Sequence, residues 1–464
     1  MDLRKRGVAG RGLAQKGRQA KAVAVLVLGD IGHSPRMQYH ALSLARAGHC
    51  VELVGYEGSK PMEQILDSPN ITIRHIRSLP RPTSASRVVF YLYAPIKIVC
   101  QVFMLLWLLL VTMPRLDYMV VQNPPAIPTL AVARVYAGLT NARLIIDWHN
   151  YGYTILGMSL GEGHAVVRLA QWFERAFGKS AYAHLCVTSA MARDLRDSWK
   201  VRGKLVVLHD KAPKHFRRLN TAEIHQLWRR MASDSKIQWP LSWHVNEEDV
   251  GNAGTLLTQQ RIDGTIEMRK DRPMLIVSTT SWTADEDFSI LLDALARYDS
   301  VASHLDENDM DAKKQLPRLA VLITGKGPLR AYYEQAVARM KLRRVHIATA
   351  WLSAEDYPLV LGSADIGVSL HTSSSGLDLP MKIVDMLGCG TPVCAYSFSC
   401  IGELVTADNG LVFGNAEELA QQIEGLARQL DCGHSMYERL LQGAARFREI
   451  DWDTNYGIML DLLQ

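Results

Sequence analysis

Short unbroken apolar runs recur along this chain of 464 residues, each followed by a polar or glycine-bearing turn and then by a stretch with helical spacing. Unbroken runs predict strands buried on both faces, and their alternation with helices predicts parallel sheets covered on each side. The first run, Val23 to Leu28, leads into Gly29-Asp30-Ile31-Gly32. Ser34-Pro35 then starts a helix with Met37, Ala41, Leu44 and Ala45 on one face. Strands are expected at 51–56, 71–76, 118–122, 144–148, 185–188 and 206–209, with helices at 166–177 and 190–199. The period lapses over 220–269, which reads as an irregular insertion or linker. It resumes with strands at 274–278, 319–324, 345–348 and 366–370 and helices at 288–298, 332–340, 354–361 and 380–387, with a polar loop at 306–315. The chain is too long for one ordinary core and suits two domains of roughly 200 residues. The expected division is an arm at 1–22, a domain at 23–215, the insertion at 216–270, a second domain at 271–440 and a closing helix at 441–464.

One segment breaks the soluble pattern. Ile98 to Met113 holds sixteen residues without a charge, bounded by Lys97 and by Pro114-Arg115. A span needs about 20 apolar residues, and a span between two strands would cut the domain in half. A buried helix is the plain alternative. The favoured expectation is a peripheral or partly inserted helix with Trp107 as an interface anchor.

Composition narrows the class. Apolar residues make up 48% and charged residues 21%, as in globular proteins. A net charge of +5 argues against a protein that coats nucleic acid. The imbalance is local: Arg4, Lys5, Arg6, Arg11, Lys16, Arg18 and Lys21 stand against Asp2 alone. That arm suits an anionic membrane surface, or is a leader without a fold. It is too basic and too poor in apolar residues for a secretory signal. Seven cysteines, at 50, 100, 186, 389, 394, 400 and 432, form no CxxC pair and no zinc spacing, which suggests free thiols in a reducing compartment.

Candidate chemistry gathers at strand ends. After the run 366–370 come His371, the small-residue loop Ser373-Ser374-Ser375-Gly376, Asp378 and a helix bearing Lys382 and Asp385 one turn apart. Loop amides and a helix start suit phosphate, a cation suits a diphosphate, and a carboxylate suits ribose or sugar hydroxyls. An ordinary strand–helix unit with solvated charges is the plain alternative. Gly325-Lys326-Gly327 lacks the spacing of a nucleotide P-loop, though Lys326 could still meet a diphosphate. Ser281 closes a hydroxyl-rich strand end that also suits helix capping. Gly29 and Gly32 lack the full dinucleotide fingerprint, and there they would let a substrate approach the next helix. Arg36 in its first turn would hold a phosphate or a surface ion pair. Asp147-Trp148-His149-Asn150 closes a strand at the end where open α/β sheets bind ligands. Asp147 and His149 share a face, and a histidine oriented by a carboxylate is a general base or a satisfied structural residue. His-Glu-x-x-His is absent.

Several long motifs carry a resemblance across nearly the whole chain: Gly29-Asp-Ile-Gly-His-Ser-Pro-Arg-Met37, Gln122-Asn-Pro-Pro125, Ile146-Asp-Trp-His-Asn150, Ser281-Trp-Thr-x-Asp-Glu-Asp287, Ile323-Thr-Gly-Lys-Gly-Pro328 and His371 to Lys382. In these the chain resembles the chitobiosyldiphosphodolichol β-mannosyltransferases of glycosyltransferase family 33. The resemblance implies an α/β protein of the GT-B fold, two doubly wound Rossmann-like domains facing a cleft. It implies an inverting transfer of the first mannose, β-1,4-linked, from GDP-mannose to dolichol-linked GlcNAc2 diphosphate, on the cytosolic face of the endoplasmic reticulum membrane, for N-glycan precursor assembly. Other mannosyltransferases acting on the lipid-linked sugar are implied as partners, and nucleic acid is not. Plant members carry the name UDP-glycosyltransferase TURAN, so the donor label varies.

On this reading Ser281, Lys326, His371, Ser373, Ser374, Ser375, Gly376, Asp378, Lys382 and Asp385 take the donor, and Gly29, Gly32, Arg36 and Asn123 the acceptor. His149 with Asp147 is the expected base, and Asp30 its rival. With side-chain cations at hand, no metal or cofactor is demanded. The chain departs from the pattern twice. Many GT-B enzymes place two glutamates with seven residues between them, whereas here Asp378 and Asp385 have six between. Members often begin with an apolar anchor, and this chain begins with the basic arm. The alternative from another class is a non-catalytic GT-B scaffold that recruits a partner glycosyltransferase to the membrane.

Overall fold

The computed structural model describes residues 19–77, 87–233, 254–283, 285–308, 315–430 and 435–464, and singly Ile237, Trp239, Pro240 and Trp243. The cations of the arm before residue 19, and Cys432, lie outside the described residues. Contacts divide the chain into two compact units, one built on residues 19–147 with Ala181–Ala183, the other on most of residues 148–462.

The runs of apolar residues form strands because only a doubly covered sheet hides them on both faces. The first sheet holds β1 (Ala22–Asp30), β2 (Cys50–Tyr56), β3 (Ile71–Ile76), β4 (Tyr118–Asn123), β5 (Arg143–Trp148), β6 (Ser180–Cys186) and β7 (Arg202–Val207). Their order is β3-β2-β1-β4-β5-β6-β7, with β3, β2, β1 and β4 paired in parallel. After a small hairpin of β8 (Thr258–Gln260) and β9 (Ile266–Met268), a second sheet takes β10 (Met274–Thr279), β11 (Leu319–Thr324), β12 (Val345–Ala350), β13 (Ile366–Ser369), β14 (Val393–Tyr396) and β15 (Gly410–Phe413). Its order is β12-β11-β10-β13-β14-β15, all parallel. Every residue of β10 and β11 is buried. In each sheet the winding reverses once, beside β1 and β4 and beside β10 and β13. Strand carboxyl ends there diverge from their crossovers and leave room for a ligand.

Three readings of the sequence need correction. The stretch expected to be irregular contains the helix Thr221–Ser233, and Ile224, Leu227, Trp228, Met231, Trp239 and Trp243 are part of the second unit's core. Mixed Trp and Gln hid the period, but the tryptophans bury large surface wherever a face is offered. The helix after β10 runs Phe288–Asn308, into the segment read as a polar loop. β6 begins at Ser180 and ends at Cys186, so its half-exposed start escaped a search for apolar runs.

The long apolar segment is a helix, Arg87–Trp107, with Pro95 inside it, continued by a π-helical turn, Leu108–Thr112. Leu105 and Leu109 are buried, whereas Val99, Phe103 and Trp107 are exposed. It is neither a core helix nor an ordinary surface one. By length and composition, Pro95–Thr112 is apolar enough to cross a membrane.

Candidate functional site

At the reversal point of the second sheet, the loops that follow β10, β11 and β13 converge. Two glycines allow it. A Cβ on Gly325 would lie 1.8 Å from the Thr280 carbonyl oxygen, and one on Gly327 would lie 1.7 Å from that of Ser281. Only residues without side chains let these two loops touch. The buried Trp282 locks the junction. Its backbone takes a left-handed φ of 49°, its N–H donates to Thr280 Oγ1 at 2.7 Å, and its indole donates to the Gly325 carbonyl at 3.3 Å.

Glu286 is the hub. Its buried carboxylate accepts from Thr280 Oγ1 at 2.5 Å and from the Ser281 N–H at 3.0 Å, and it pairs with Lys382 on the helix Met381–Gly388. The pairing of this buried carboxylate fixes the lysine's ammonium at the strand ends. Glu286 and Asp285 lie inside a motif noted from sequence but were not among the expected ligands, because nothing local announces a pairing across 96 positions.

His371 stands between two carboxylates, with Nδ1 3.4 Å from Asp285 and Nε2 3.8 Å from Asp378. Burial opposes its charge, but those carboxylates outweigh burial and push the imidazole up to about 9. At neutral pH it is therefore a cation. Its pKa in the fold lies above the ordinary 6.5, so its stabilising contribution is complete below about pH 6.5 and fades as pH rises through about 9. Between pH 7 and pH 9.5 the melting temperature should therefore fall more steeply for wild type than for His371→Gln. Parallel melting curves across that window would remove the charged pair.

The serine loop is tied down within the same unit. Asp378 accepts from Ser373 and from Asn150 Nδ2 at 2.8 Å, with Ser375 Oγ at 3.4 Å. Ser374 Oγ lies 3.1 Å from both Asn150 Nδ2 and Thr154 Oγ1. Thr188 donates to the Leu377 carbonyl at 2.6 Å. Gly376 sits in the left-handed region at φ 71°, which lets the loop turn. Asp385 accepts from the Tyr357 hydroxyl at 3.2 Å, and its dry surroundings, with Asp210 adding repulsion, push its carboxyl up to about 7. Lys326 is exposed, with Nζ 4.1 Å over the Trp351 ring, a cation–π contact.

The first unit brings together a different set. At the end of β1, Asp30 accepts from the backbone N–H groups of Gly32 and Ser59, each at 2.9 Å. His33 Nδ1 lies 2.7 Å from its Oδ2, the oxygen that also accepts from Ser59. Burial alone would raise this carboxyl, but the Ser59 amide, His33 and the Gly32 amide hold it at about 2. His33 had not been singled out, yet it forms a histidine–carboxylate pair with its imidazole 76% exposed. A Cβ on Gly32 would lie 2.4 Å from the Ser59 carbonyl oxygen, so Gly32 serves this loop contact.

Arg36 is buried rather than at the surface. Its Nε and Nη2 each donate to Asp147 at 2.8 Å, and His40 Nε2 lies 3.0 Å from the same carboxylate. A carboxylate with no exposure at a strand end requires such a counter-charge, so Asp147 anchors β5 to the helix Pro35–Arg46. Asn123 is fully buried at the end of β4, before a cis peptide bond to Pro124. Gly29 lies in β1, one residue before Asp30. His149, beyond the end of β5, is half-buried.

Comparison with known proteins agrees with this architecture. Residues 32–210 match the glycosyl transferase 4-like domain family, and residues 277–429 the glycosyl transferases group 1 family. Anabaena HepE in complex with UDP superposes with a TM-score of 0.58 at 15% identity, over 96% of this chain and 99% of its own. Sucrose-phosphate synthase from Thermosynechococcus elongatus gives 0.60 at 13%, over 96% and 98%. The fold is GT-B, two Rossmann-like domains in series. The human protein named chitobiosyldiphosphodolichol β-mannosyltransferase is 42% identical, over 95% of this chain and 92% of its own. The Arabidopsis thaliana protein named UDP-glycosyltransferase TURAN is 44% identical, over 88% and 89%. Identity of this order across nearly the full length of both chains shows that this chain belongs to the family of the chitobiosyldiphosphodolichol β-mannosyltransferases.

Proposed function

We propose that this chain transfers the first mannose, β-1,4-linked, from GDP-mannose to dolichol-linked GlcNAc2 diphosphate on the cytosolic face of the endoplasmic reticulum membrane. Beside the family membership, the observation that carries the reading is the cationic set at the second reversal point. Lys382 is fixed by Glu286, and His371 is held charged by Asp285 and Asp378.

An α-linked donor and a β-linked product require one displacement with inversion. The acceptor hydroxyl attacks C1 of mannose from the face opposite the diphosphate. The new C1–O bond forms as the bond to phosphate breaks, the diphosphate leaves with the electron pair, and a base takes the hydroxyl proton. Lys382, His371, Lys326 and the amides of Ser373 to Ser375 supply charge and hydrogen bonds to the departing diphosphate. Asp385, poised near neutrality, suits the hydroxyls of ribose or sugar. His149 takes the proton, and Asp147 keeps the end of β5 in place for it. Residues 23–215 act as the acceptor domain and 271–440 as the donor domain, and the exposed side of the helix Arg87–Trp107 rests on the bilayer that holds the dolichol.

Donor identity is tested by titration calorimetry of the purified protein with GDP-mannose and UDP-GlcNAc, followed by transfer to a phytanyl-linked GlcNAc2 diphosphate. GDP-mannose should bind more tightly and GDP should be released on turnover. Tighter binding of the UDP sugar, with UDP released, would sink the reading.

A further inference from the structure

The helices Gly152–Leu160 and Ala165–Gly178 pack on each other as a hairpin. In the second helix Val167, Ala170, Glu174 and Gly178 form the buried line, at helical spacing. Glu174 is fully buried and caps the first helix, accepting from the N–H groups of Gly152 at 3.0 Å and Tyr153 at 3.2 Å. The second helix thus has its acid inside. The hairpin's outward side carries large apolar groups instead: Met158 is 59% exposed, Leu169 59% and Trp172 62%, beside Ile155, Leu160 and Val166. An ordinary surface helix has the opposite polarity, and a contiguous exposed apolar patch marks a docking surface. Charge identifies what docks. Arg168 and Arg175 on the second helix and Lys179 just past it are exposed, against one exposed acid, Glu162, in the turn between the helices. Apolar anchors flanked by cations, with a tryptophan among them, match a bilayer interface bearing anionic headgroups.

We propose that this hairpin is a membrane-docking surface, separate in sequence from the helix Arg87–Trp107. Trp172, Leu169 and Met158 enter the headgroup–acyl boundary, and Arg168, Arg175 and Lys179 lie over anionic headgroups. The inference deepens the reading of a lipid-linked acceptor and rests on it.

The test is partition of the full-length protein onto phosphatidylcholine vesicles, with and without phosphatidylserine, across a lipid titration. Leu169→Ser with Trp172→Ser should lower the partition coefficient at least about tenfold on both vesicles, since each side chain contributes burial of its own. Arg168→Glu with Lys179→Glu should lower it about tenfold or more only where phosphatidylserine is present. Arg175 is left alone because its guanidinium lies 5.2 Å from the Trp199 ring. Phe103→Ser with Trp107→Ser, on the other helix, should weaken binding independently. Every replaced side chain stands at an exposed position, and unchanged melting curves confirm the fold. Folded hairpin variants that partition like wild type overturn the proposal. So do hairpin variants that keep lipid binding but lose self-association, since the face then joins two copies of the chain. Transfer to a detergent-dispersed acceptor separates the two readings. Hairpin variants should keep wild-type turnover there. If wild type itself transfers no mannose, the proposed function falls and vesicle partition still decides the surface.

Discussion

His149→Ala should lower kcat by about 10²–10⁴ while GDP-mannose affinity stays near wild type, because a general base acts in the transition state and not on the bound donor. His149 lies just past β5, whose end Asp147 locks by its bonds to Arg36 and His40. The competing base is the pair of Asp30 and His33. Asp30 alone, held at about 2, is a weak acceptor of protons at neutral pH. The exposed imidazole of His33, 2.7 Å from that carboxylate, is the other candidate there. Asp30→Asn and His33→Ala are therefore the controls, read as kcat and as calorimetric donor affinity. Should either abolish turnover while His149→Ala keeps most of it, the base belongs to the loop after β1.

Lys382→Ala should cost roughly ten- to a hundredfold in kcat/KM, as expected from losing a charge-assisted hydrogen bond to phosphate worth about 1.5–3 kcal/mol. Lys326→Ala should act in the same direction, toward the lower end of that range, because its ammonium is exposed over Trp351 and screened by water. Removing Lys382 also strands the buried Glu286 carboxylate, which lowers stability on its own. The double variant Lys382→Ala with Glu286→Gln separates the two effects, since it should recover melting temperature without recovering turnover. Kinetics within twofold of wild type for both lysine variants would take them out of the diphosphate site.

What the sequence made legible follows the range of each signal. Apolar runs and helix starts are local, so β1, β3 and β11 and the helix with Lys382 and Asp385 could be placed by reading alone. The motif at 371–382 and the cations at 326 and 382 were legible for the same reason. Partners were not. Arg36 meets Asp147 across 111 positions, and only the sheet order, which sets β1 and β5 on either side of β4, makes them neighbours. Arg36 thus changes from an open ligand to a buried anchor, a difference of surroundings and not of residue type. His33 lies inside a motif that was read for its glycines, and its role depends on Asp30 turning back toward it. The hairpin at 152–178 hides for another reason. Its helical period is plain in the second helix, but which line faces outward depends on the buried Glu174.

The tryptophans of the segment once read as a linker bear on how the protein can be divided. Trp228, Trp239 and Trp243 share one core with Phe216, Leu219, Leu275, Leu322 and Ile383, and so with strands and a helix of the second sheet's layers. A recombinant fragment begun at β10 would leave the side of that core facing them bare, and would be expected to aggregate. One begun upstream of Phe216 keeps it covered. The expression boundary for an isolated second half is therefore set by buried aromatic surface, well before the first strand of its sheet.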